Sequence, residues 1–208
     1  MEHKIIVAGI GPGHPDYVLP IARKYIQDAS FLVGGRRALA SFASASQETL
    51  AITGDVAGVI ESIRQHLEAL DVVVMVSGDP GYYSLLDALR REFSAAQLQV
   101  IPGISSVQFA FARLALPWHD ACLISLHGRP PKCEELIYEP GRLLGILTDS
   151  VYHSASIAEL LLQLGWPADT ESYICTKLSY PDEKIISATL QQSCLIEKYA
   201  HCVMVVKA

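Results

Sequence analysis

Two short polar turns carry the side chains best suited to binding a ligand. Ser77-Gly-Asp-Pro-Gly-Tyr82 follows the apolar run Val72–Val76, and Pro102-Gly-Ile-Ser-Ser106 follows the run Leu98–Ile101. A helical pattern comes after each turn, so each apolar run predicts a strand of a parallel sheet. Open α/β sheets bind ligands at the carboxyl ends of their strands. The spacing therefore predicts two neighbouring walls of one cleft.

The polar side chains of these turns have two interpretations. The Asp79 carboxylate can contact a ligand, or it can form an Asx-type cap on the following helix. Ser105 and Ser106 can likewise contact a ligand or cap a helix, because serine is a favourable N-cap residue. The sequence leaves both alternatives open.

A third turn, Gly9-Ile-Gly-Pro-Gly13, follows the first predicted strand, Lys4–Ile10. It departs from the dinucleotide fingerprint Gly-x-Gly-x-x-Gly, because His14 stands in place of the third glycine. Pro12 also removes an N–H that could bind phosphate. A Walker loop is excluded, since the chain lacks Gly-Lys-Ser/Thr. The turn is either a tight connection or a close approach of backbone to a ligand without phosphate.

Basic side chains offer a way to bind an acidic substrate. His127 and Arg129 lie in the segment Leu126-His-Gly-Arg129, directly after a predicted strand, and can reach a substrate carboxylate or stay solvated. Arg36 and Arg37 have the same two interpretations. The seven histidines form no HExxH-like pattern, and no Gly-x-Ser-x-Gly elbow is present. Neither a metal centre nor serine-hydrolase chemistry is expected.

Composition limits the partners. A formal net charge of −6 over 208 residues argues against general binding to nucleic acid or to acidic membranes. Five widely spaced cysteines without a Cys-x-x-Cys pair predict reduced, buried thiols in a cytoplasmic protein. The amino terminus has no signal-peptide pattern, and no apolar segment approaches the length of a membrane span.

The order of predicted elements indicates an α/β protein with two α/β domains. The first, residues 1–117, has a largely parallel sheet with crossover helices, and Leu116-Pro-Trp118 marks the boundary. The second, residues 118–208, has a mixed sheet, because the runs Ser172–Thr176 and Lys184–Ala188 have little helix between them. The remaining predicted elements are the helices Leu19–Asp28, Val56–Leu67, Tyr83–Glu92 and Ser105–Leu114, a helix carrying Ile157 to Leu164, and the strands Phe31–Val33, Ala121–Leu126, Leu143–Leu147 and Cys202–Val206.

The motifs in this order resemble those of the tetrapyrrole methyltransferase family, the class III S-adenosylmethionine-dependent methyltransferases. The markers are Gly9–Gly13, Gly34-Gly35, Ser77–Pro80 and Pro102–Ser106, and the resemblance covers nearly the whole chain. Other segments resemble the branch of the family that methylates carbon 5 of cobalt-precorrin-7 in anaerobic cobalamin synthesis. They are Val33–Arg37, Pro102–Gln108, Ala112–Leu114, Pro117-Trp118, Ser125–Arg129 and Leu178–Ile185.

This resemblance implies that S-adenosylmethionine lies in a cleft between the two domains. The implied cofactor contacts are Ile10, Gly78, Asp79, Tyr82, Ser105, Ser106, Leu126, Thr148 and Leu178. The implied substrate contacts are Gly11, Pro12, Gly13, Arg36, Arg37, Arg113, His127 and Arg129, although the arginines can equally have packing or surface roles. No metal is implied and no catalytic residue is assigned, because a ring carbon attacks a methyl group that the sulfonium has already activated.

The resemblance also implies a homodimer, a tetrapyrrole substrate and a separate protein for methylation and decarboxylation at carbon 15. Three alternatives stay open: the metal-free precorrin as substrate, a diphthamide-type methyltransferase of the same fold, and a cofactor-binding module without turnover. We expect no nucleic-acid or membrane partner.

Overall fold

A computed structural model describes residues 3–208, and its contacts divide the chain into two compact units. The first unit ends at Ser105 and the second begins at Ser106. Sequence placed this boundary about Pro117 instead. The difference arises because the helix of residues 106–113 packs on strands of the second unit, with Val107 and Phe111 against Gly145.

The first unit is a parallel five-stranded sheet in the order β3-β2-β4-β1-β5. This order makes β1 the direct neighbour of both β4 and β5, so the turns that follow these three strands meet at one edge. The elements are β1 (Ile5–Gly9), α1 (Pro20–Asp28), β2 (Phe31–Gly34), α2 (Arg36–Phe42), β3 (Glu48–Ala51), α3 (Val56–His66), β4 (Val72–Val76), α4 (Leu86–Glu92) and β5 (Leu98–Ile101).

Both faces of this sheet are covered by helices. One face packs Val7 and Val74 against Ile63 of α3, and the other packs Met75 against Ile26 of α1. All five residues of β4 are therefore buried. This explains the uninterrupted apolar run in the sequence, because a strand covered on both faces has no solvent side.

The second unit is a mixed sheet in the order β6-β7-β10-β8-β9. β6 and β7 are parallel, whereas the other pairs are antiparallel, so the predicted mixed sheet is confirmed. The elements are α5 (Ser106–Arg113), β6 (Cys122–Ser125), β7 (Leu143–Leu147), α6 (Ser154–Gln163), β8 (Glu171–Thr176), β9 (Lys184–Thr189), α7 (Leu190–Ser193) and β10 (Val203–Lys207).

Helices α5 and α6 cover opposite faces of this second sheet. Ile157 and Leu161 of α6 join Ile146 and Met204 in the larger core. On the other face, a Cβ on Gly145 would lie 2.8 Å from a ring carbon of Phe111. Glycine at this position lets α5 approach the strand backbone closely.

The structure differs from the sequence predictions in three respects. Helices α2 and α7 and strand β3 were absent from the sequence interpretation. Helix α4 begins at Leu86 rather than at Tyr83, because residues 80–85 form turns in which Ser84 Oγ donates to the Pro80 carbonyl at 2.6 Å. The cysteines are all free, as expected, but only Cys175 and Cys202 are buried and Cys133 is exposed.

Candidate functional site

Three glycine turns pack backbone against backbone at the carboxyl edge of the first sheet. Gly78 N–H donates to the Gly11 carbonyl at 2.8 Å, and Gly11 N–H donates back to Gly78 at 3.3 Å. A Cβ on Gly9 would lie 2.7 Å from both Gly103 N and Gly78 O. Real side chains do not fit such gaps, so the three turns require glycine in order to meet.

The Asp79 carboxylate joins two of these turns. Its Oδ1 accepts a hydrogen bond from Gly81 N–H at 2.8 Å, and its Oδ2 accepts one from Gly103 N–H at 3.0 Å. The first bond is the Asx-type turn that sequence left open, but it does not cap α4, which begins only at Leu86. An ionised carboxylate has about four lone-pair sites, so Asp79 can hold both turns and still accept a bond from a ligand.

The first glycine turn is not a phosphate-binding loop. A short 3₁₀ turn over Pro15–Tyr17 separates it from α1, so no helix amino terminus points at the turn. The Gly11 N–H is already used by Gly78, and Pro12 has none. The turn thus lacks the helix amino terminus to which dinucleotide folds bind phosphate, and its Gly11 and Pro12 offer no free N–H group.

The other predicted cofactor residues of the first unit take different positions. Ile10 is buried in the core beside α1, and its N–H donates to the Val76 carbonyl. Tyr82 follows Asp79, with its ring edge-on to Tyr83 at 4.8 Å. Ser105 is buried at the end of the first unit, and Ser106 is the first residue of α5.

In the second unit the turn after β6 is fixed by the strand beside it. Leu126 is buried, and its N–H donates to the Leu147 carbonyl at 2.9 Å. The exposed His127 ring lies 5.5 Å from the ring of His201, with Nδ1 3.4 Å from the Thr148 carbonyl. Gly128 has φ of +68°, a conformation that favours glycine.

Asp149 is a residue that the sequence interpretation missed, although it organises this turn. Its Oδ2 accepts from Gly128 N–H at 2.8 Å, while Oδ1 accepts from Val151 and Tyr152 at 2.8 and 2.6 Å. The Gly128 N–H, and then the Tyr152 N–H, lower the pKa of this carboxyl below its ordinary value. Asp149 thus ties the turn after β6 to the start of α6.

Thr148 uses its hydroxyl within the protein. Oγ1 accepts from Cys202 N–H at 2.8 Å and lies 3.1 Å from the Cys202 carbonyl, to which it donates. Burial raises the pKa of Cys202 to about 11 and that of Cys175 to about 12. These thiols remain protonated at neutral pH, so neither is an activated nucleophile.

Leu178, another predicted cofactor residue, is buried in the connection between β8 and β9. Glu183 lies in the same connection, where its Oε2 accepts from Ser179 N–H at 2.6 Å. Its Oε1 lies 2.8 Å from Nε of Arg113, which was a predicted substrate contact. The Arg113 guanidinium also stacks over the Phe109 ring at 4.7 Å.

The remaining predicted basic residues are exposed. Arg36 and Arg37 begin α2, directly after β2, and Arg129 follows Gly128. Within residues 3–208, no group of three or more His, Cys, Asp or Glu side chains is arranged to hold a metal. None of the helices in this range combines the length and apolar character needed to cross a bilayer.

A buried hydroxyl lies at the end of β6. Ser125 is 6% exposed, and among the described residues nothing forms a hydrogen bond with its Oγ. An unpaired buried hydroxyl is unfavourable, so such a group points to a missing donor or acceptor. The glycine turns of the first unit and, separately, this hydroxyl of the second unit are groups suited to contact a ligand by close packing and by hydrogen bonding.

Comparison with known proteins gives a consistent assignment. The family model for tetrapyrrole (corrin/porphyrin) methylases matches residues 4–193. The chain is 27% identical over 193 residues to a probable cobalt-precorrin-7 C(5)-methyltransferase of Methanocaldococcus jannaschii, covering 90% of each chain. It is 32% identical over 161 residues to the cobalt-precorrin-7 C(5)-methyltransferase of Salmonella typhimurium, covering 77% of this chain and 79% of that protein.

The fold agrees with this match. A solved structure of uroporphyrin-III C-methyl transferase from Thermus thermophilus, complexed with S-adenosyl homocysteine, has a TM-score of 0.77 at 21% identity and covers 98% of this chain and 91% of its own. Two α/β units, the three glycine turns and the family match lead to one conclusion: the chain belongs to the tetrapyrrole (corrin/porphyrin) methylases, and it is an S-adenosylmethionine-dependent methyltransferase.

Proposed function

We propose that this enzyme methylates carbon 5 of cobalt-precorrin-7 in the anaerobic synthesis of the corrin ring of cobalamin. The observation that carries the proposal is the 32% identity, over 77% of the chain, to the Salmonella protein of that activity. This relation is more specific than the shared fold, because one fold hosts many reactions.

The residues present fit S-adenosylmethionine. The cofactor carries hydroxyl, amine and carboxylate groups but no phosphate, and the turn at Gly11 and Pro12 has no free N–H groups for phosphate. The buried Ser125 hydroxyl has an unused hydrogen-bonding capacity that suits a neutral polar ligand. When bound, the cofactor supplies a methyl group activated by a sulfonium.

Two sets of residues are proposed to hold this cofactor. In the first unit they are Ile10, Gly78, Asp79, Tyr82 and Ser105. In the second unit they are Ser106, Leu126, Thr148 and Leu178. The side chains of Ile10 and Leu126 are buried, so we propose that these residues contact the cofactor through backbone atoms. The Thr148 hydroxyl already forms a hydrogen bond with Cys202, which makes it a less available contact.

Catalysis then rests on geometry. The chain has to hold a ring carbon, the methyl group and the sulfur near a line and to exclude water. We assign no catalytic base, because the sulfonium already activates the methyl group; the buried Cys175 and Cys202 thiols remain protonated. The close packing of the three glycine turns provides the rigidity that such alignment requires.

The substrate carries several carboxylates, and exposed basic residues are proposed to pair with them. Arg36, Arg37, His127 and Arg129 are candidates, with Gly11, Pro12 and Gly13 in contact with the ring. An arginine binds a carboxylate through two parallel hydrogen bonds, which fixes orientation as well as position. Arg113 is already bound to Glu183 and is a weaker candidate for this role.

A turnover assay tests the proposal. The enzyme is incubated with S-adenosylmethionine and either cobalt-precorrin-7, the metal-free precorrin or diphthamide-precursor protein, and products are weighed by mass spectrometry. We expect addition of one methyl group, fastest with the cobalt substrate. Faster methylation of the metal-free ring would show that the metal-free precorrin is the substrate. Methylation of the protein would show a diphthamide-type methyltransferase. Cofactor binding without any product would indicate a binding module.

The resemblance supports three further proposals about the setting of this enzyme. We propose a homodimer, a cytoplasmic location and a separate protein that methylates and decarboxylates at carbon 15. Light scattering tests the first, since a monomer has a mass of 22.6 kDa.

A further inference from the structure

The connection between β8 and β9 is held in an unusual backbone conformation. Lys177 and Ser179 have φ of +49° and +73°, and they flank the buried Leu178. Non-glycine residues adopt positive φ at an energetic cost, and they keep it only where the surroundings enforce it. Interactions with neighbouring residues must therefore hold this turn in its conformation.

Two carboxylates bind the turn at these strained positions. Asp182 forms an ion pair with the Lys177 ammonium on the exposed surface. Glu183 is better placed, since its side chain is only 19% exposed and its Oε2 accepts from the Ser179 N–H at 2.6 Å. Hydrogen bonds from backbone N–H groups to a carboxylate are among the stronger ones in proteins.

Glu183 also connects the turn to α5. Its second oxygen lies 2.8 Å from Nε of Arg113, whose guanidinium stacks over the Phe109 ring. Phe109 is buried, so this end of the bridge rests on a fixed part of the second unit. The pair differs from the Lys207–Glu171 pair, in which both side chains are about half exposed.

We propose that Glu183 is a positioning residue for the cofactor turn at Leu178, and that Arg113 acts through it rather than on the substrate. This proposal rests on the assignment of Leu178 as a cofactor contact. Glu183 and Arg113 hold Ser179 in its positive-φ conformation and thereby present the Leu178 backbone in one orientation. A binding turn that is already ordered in the free protein improves affinity, because binding then does not lose the conformational entropy of ordering it.

Binding of S-adenosylhomocysteine to Glu183→Gln and Arg113→Gln tests the proposal, with calorimetry as the readout. Loss of one charge-assisted hydrogen bond should raise the dissociation constant about 5- to 10-fold in each variant. The dissociation constant of the double variant should be about the same as that of each single variant, because the two side chains act as one unit. Glu171→Gln, which breaks the exposed pair, is the matched control and should bind normally.

Amide hydrogen exchange at Ser179 provides a readout that does not depend on ligand. Exchange should be faster in Glu183→Gln and in Arg113→Gln than in the wild type and in Glu171→Gln. Affinity within twofold of wild type in both variants would overturn the positioning role, whatever the exchange shows. Unchanged exchange at Ser179 in both variants would overturn the bridge itself. Failure of the wild-type protein to bind S-adenosylhomocysteine would instead contradict the proposed function, and with it the role of Leu178.

Discussion

The Asp79 carboxylate accepts a hydrogen bond from the Gly103 amide, 3.0 Å away, and so fixes the turn after β5 to the turn after β4. A second hydrogen bond, from Gly81, orients the same carboxylate within its own turn. Asp79 does not form the helix cap that the sequence offered as one alternative, because α4 begins only at Leu86. The ligand contact, the other alternative, stays a prediction. One side chain shapes the wall and remains able to contact the cofactor.

Asp79→Asn should weaken both the fold and cofactor binding. The amide group can accept from only one of the two backbone donors and turns an N–H₂ toward the other. We expect a loss of about 1–3 kcal/mol in unfolding free energy and at least a severalfold weaker affinity for S-adenosylhomocysteine. Urea denaturation and calorimetry measure the two effects.

The control for this variant is Asp55→Asn. Asp55 caps α3 through Gly58 N–H at 2.9 Å and lies away from the glycine turns, so its loss should affect stability slightly and affinity not at all. Asp79→Asn with unchanged affinity would limit Asp79 to a structural role.

Gly103→Ala should disrupt the meeting of the glycine turns. Its Cβ would lie 2.2 Å from the Gly78 carbonyl oxygen, and backbone atoms cannot move aside as a flexible side chain can. We expect a loss of about 3 kcal/mol or more in stability, the range of severe overpacking. Gly128→Ala has open space around its Cβ and should cost only about 1 kcal/mol for its positive φ. Equal melting temperatures for the two variants would contradict the packing argument.

Asp149→Asn should lower stability at neutral pH but not in acid. The pKa of Asp149 is lower in the folded state than in the unfolded state, where it is about 3.9. The ionised carboxylate therefore stabilises the wild type at pH values above about 3.9, and this stabilisation is lost as the pH falls through the folded-state pKa. The asparagine variant lacks this titration. The difference in unfolding free energy between wild type and variant should therefore shrink from about pH 5 downward. A difference that stays constant with pH would show that charge plays no part.

Ser125→Ala should separate ligand binding from folding. The hydroxyl has no partner among the described residues, so its removal should leave the stability of the free enzyme unchanged or slightly higher. Affinity for S-adenosylhomocysteine should fall about 5- to 10-fold if the ligand supplies the partner.

Ser172→Ala is the matched control for this variant. Ser172 Oγ contacts Ser193 Oγ at 2.8 Å and the Ala188 carbonyl at 3.0 Å, so its loss should destabilise the fold and spare affinity. Unchanged affinity in Ser125→Ala would remove Ser125 from the site.

The sequence was informative wherever burial left one unambiguous pattern. The strands Val72–Val76 and Leu143–Leu147 have the predicted bounds, because each begins and ends with its apolar run. Leu98–Ile101 also has the predicted bounds, although it contains Gln99 and Val100 is 44% exposed. Strand β3 was missed because it lies at the sheet edge, where Glu48 and Thr49 face solvent and break the pattern. The boundary between the two units follows Ser105 rather than Pro117, and the sequence does not show this because it depends on which sheet α5 packs against.

The turns of the candidate site could be predicted from the sequence, whereas the side chains that hold those turns in place could not. Glycine and proline mark a turn locally, so the segments around Gly11, Asp79 and Gly103 could be found. Asp149 and Glu183 could not, because each acts on a backbone N–H or guanidinium that only tertiary folding brings close. Arg113 shows the same limit, since its residue type suggests a carboxylate partner, whereas the sequence does not show that Glu183 lies 2.8 Å away.

We propose that this methyltransferase acts on carbon 5 of cobalt-precorrin-7, so the position of the new methyl group on the ring is the decisive measurement. The enzyme is given this substrate with S-adenosylmethionine labelled with carbon-13 at the methyl group, and the product is examined by NMR. We expect a single labelled methyl group attached to carbon 5 of the ring. A label at another ring carbon, or no transfer by an enzyme that binds S-adenosylhomocysteine normally, would contradict it.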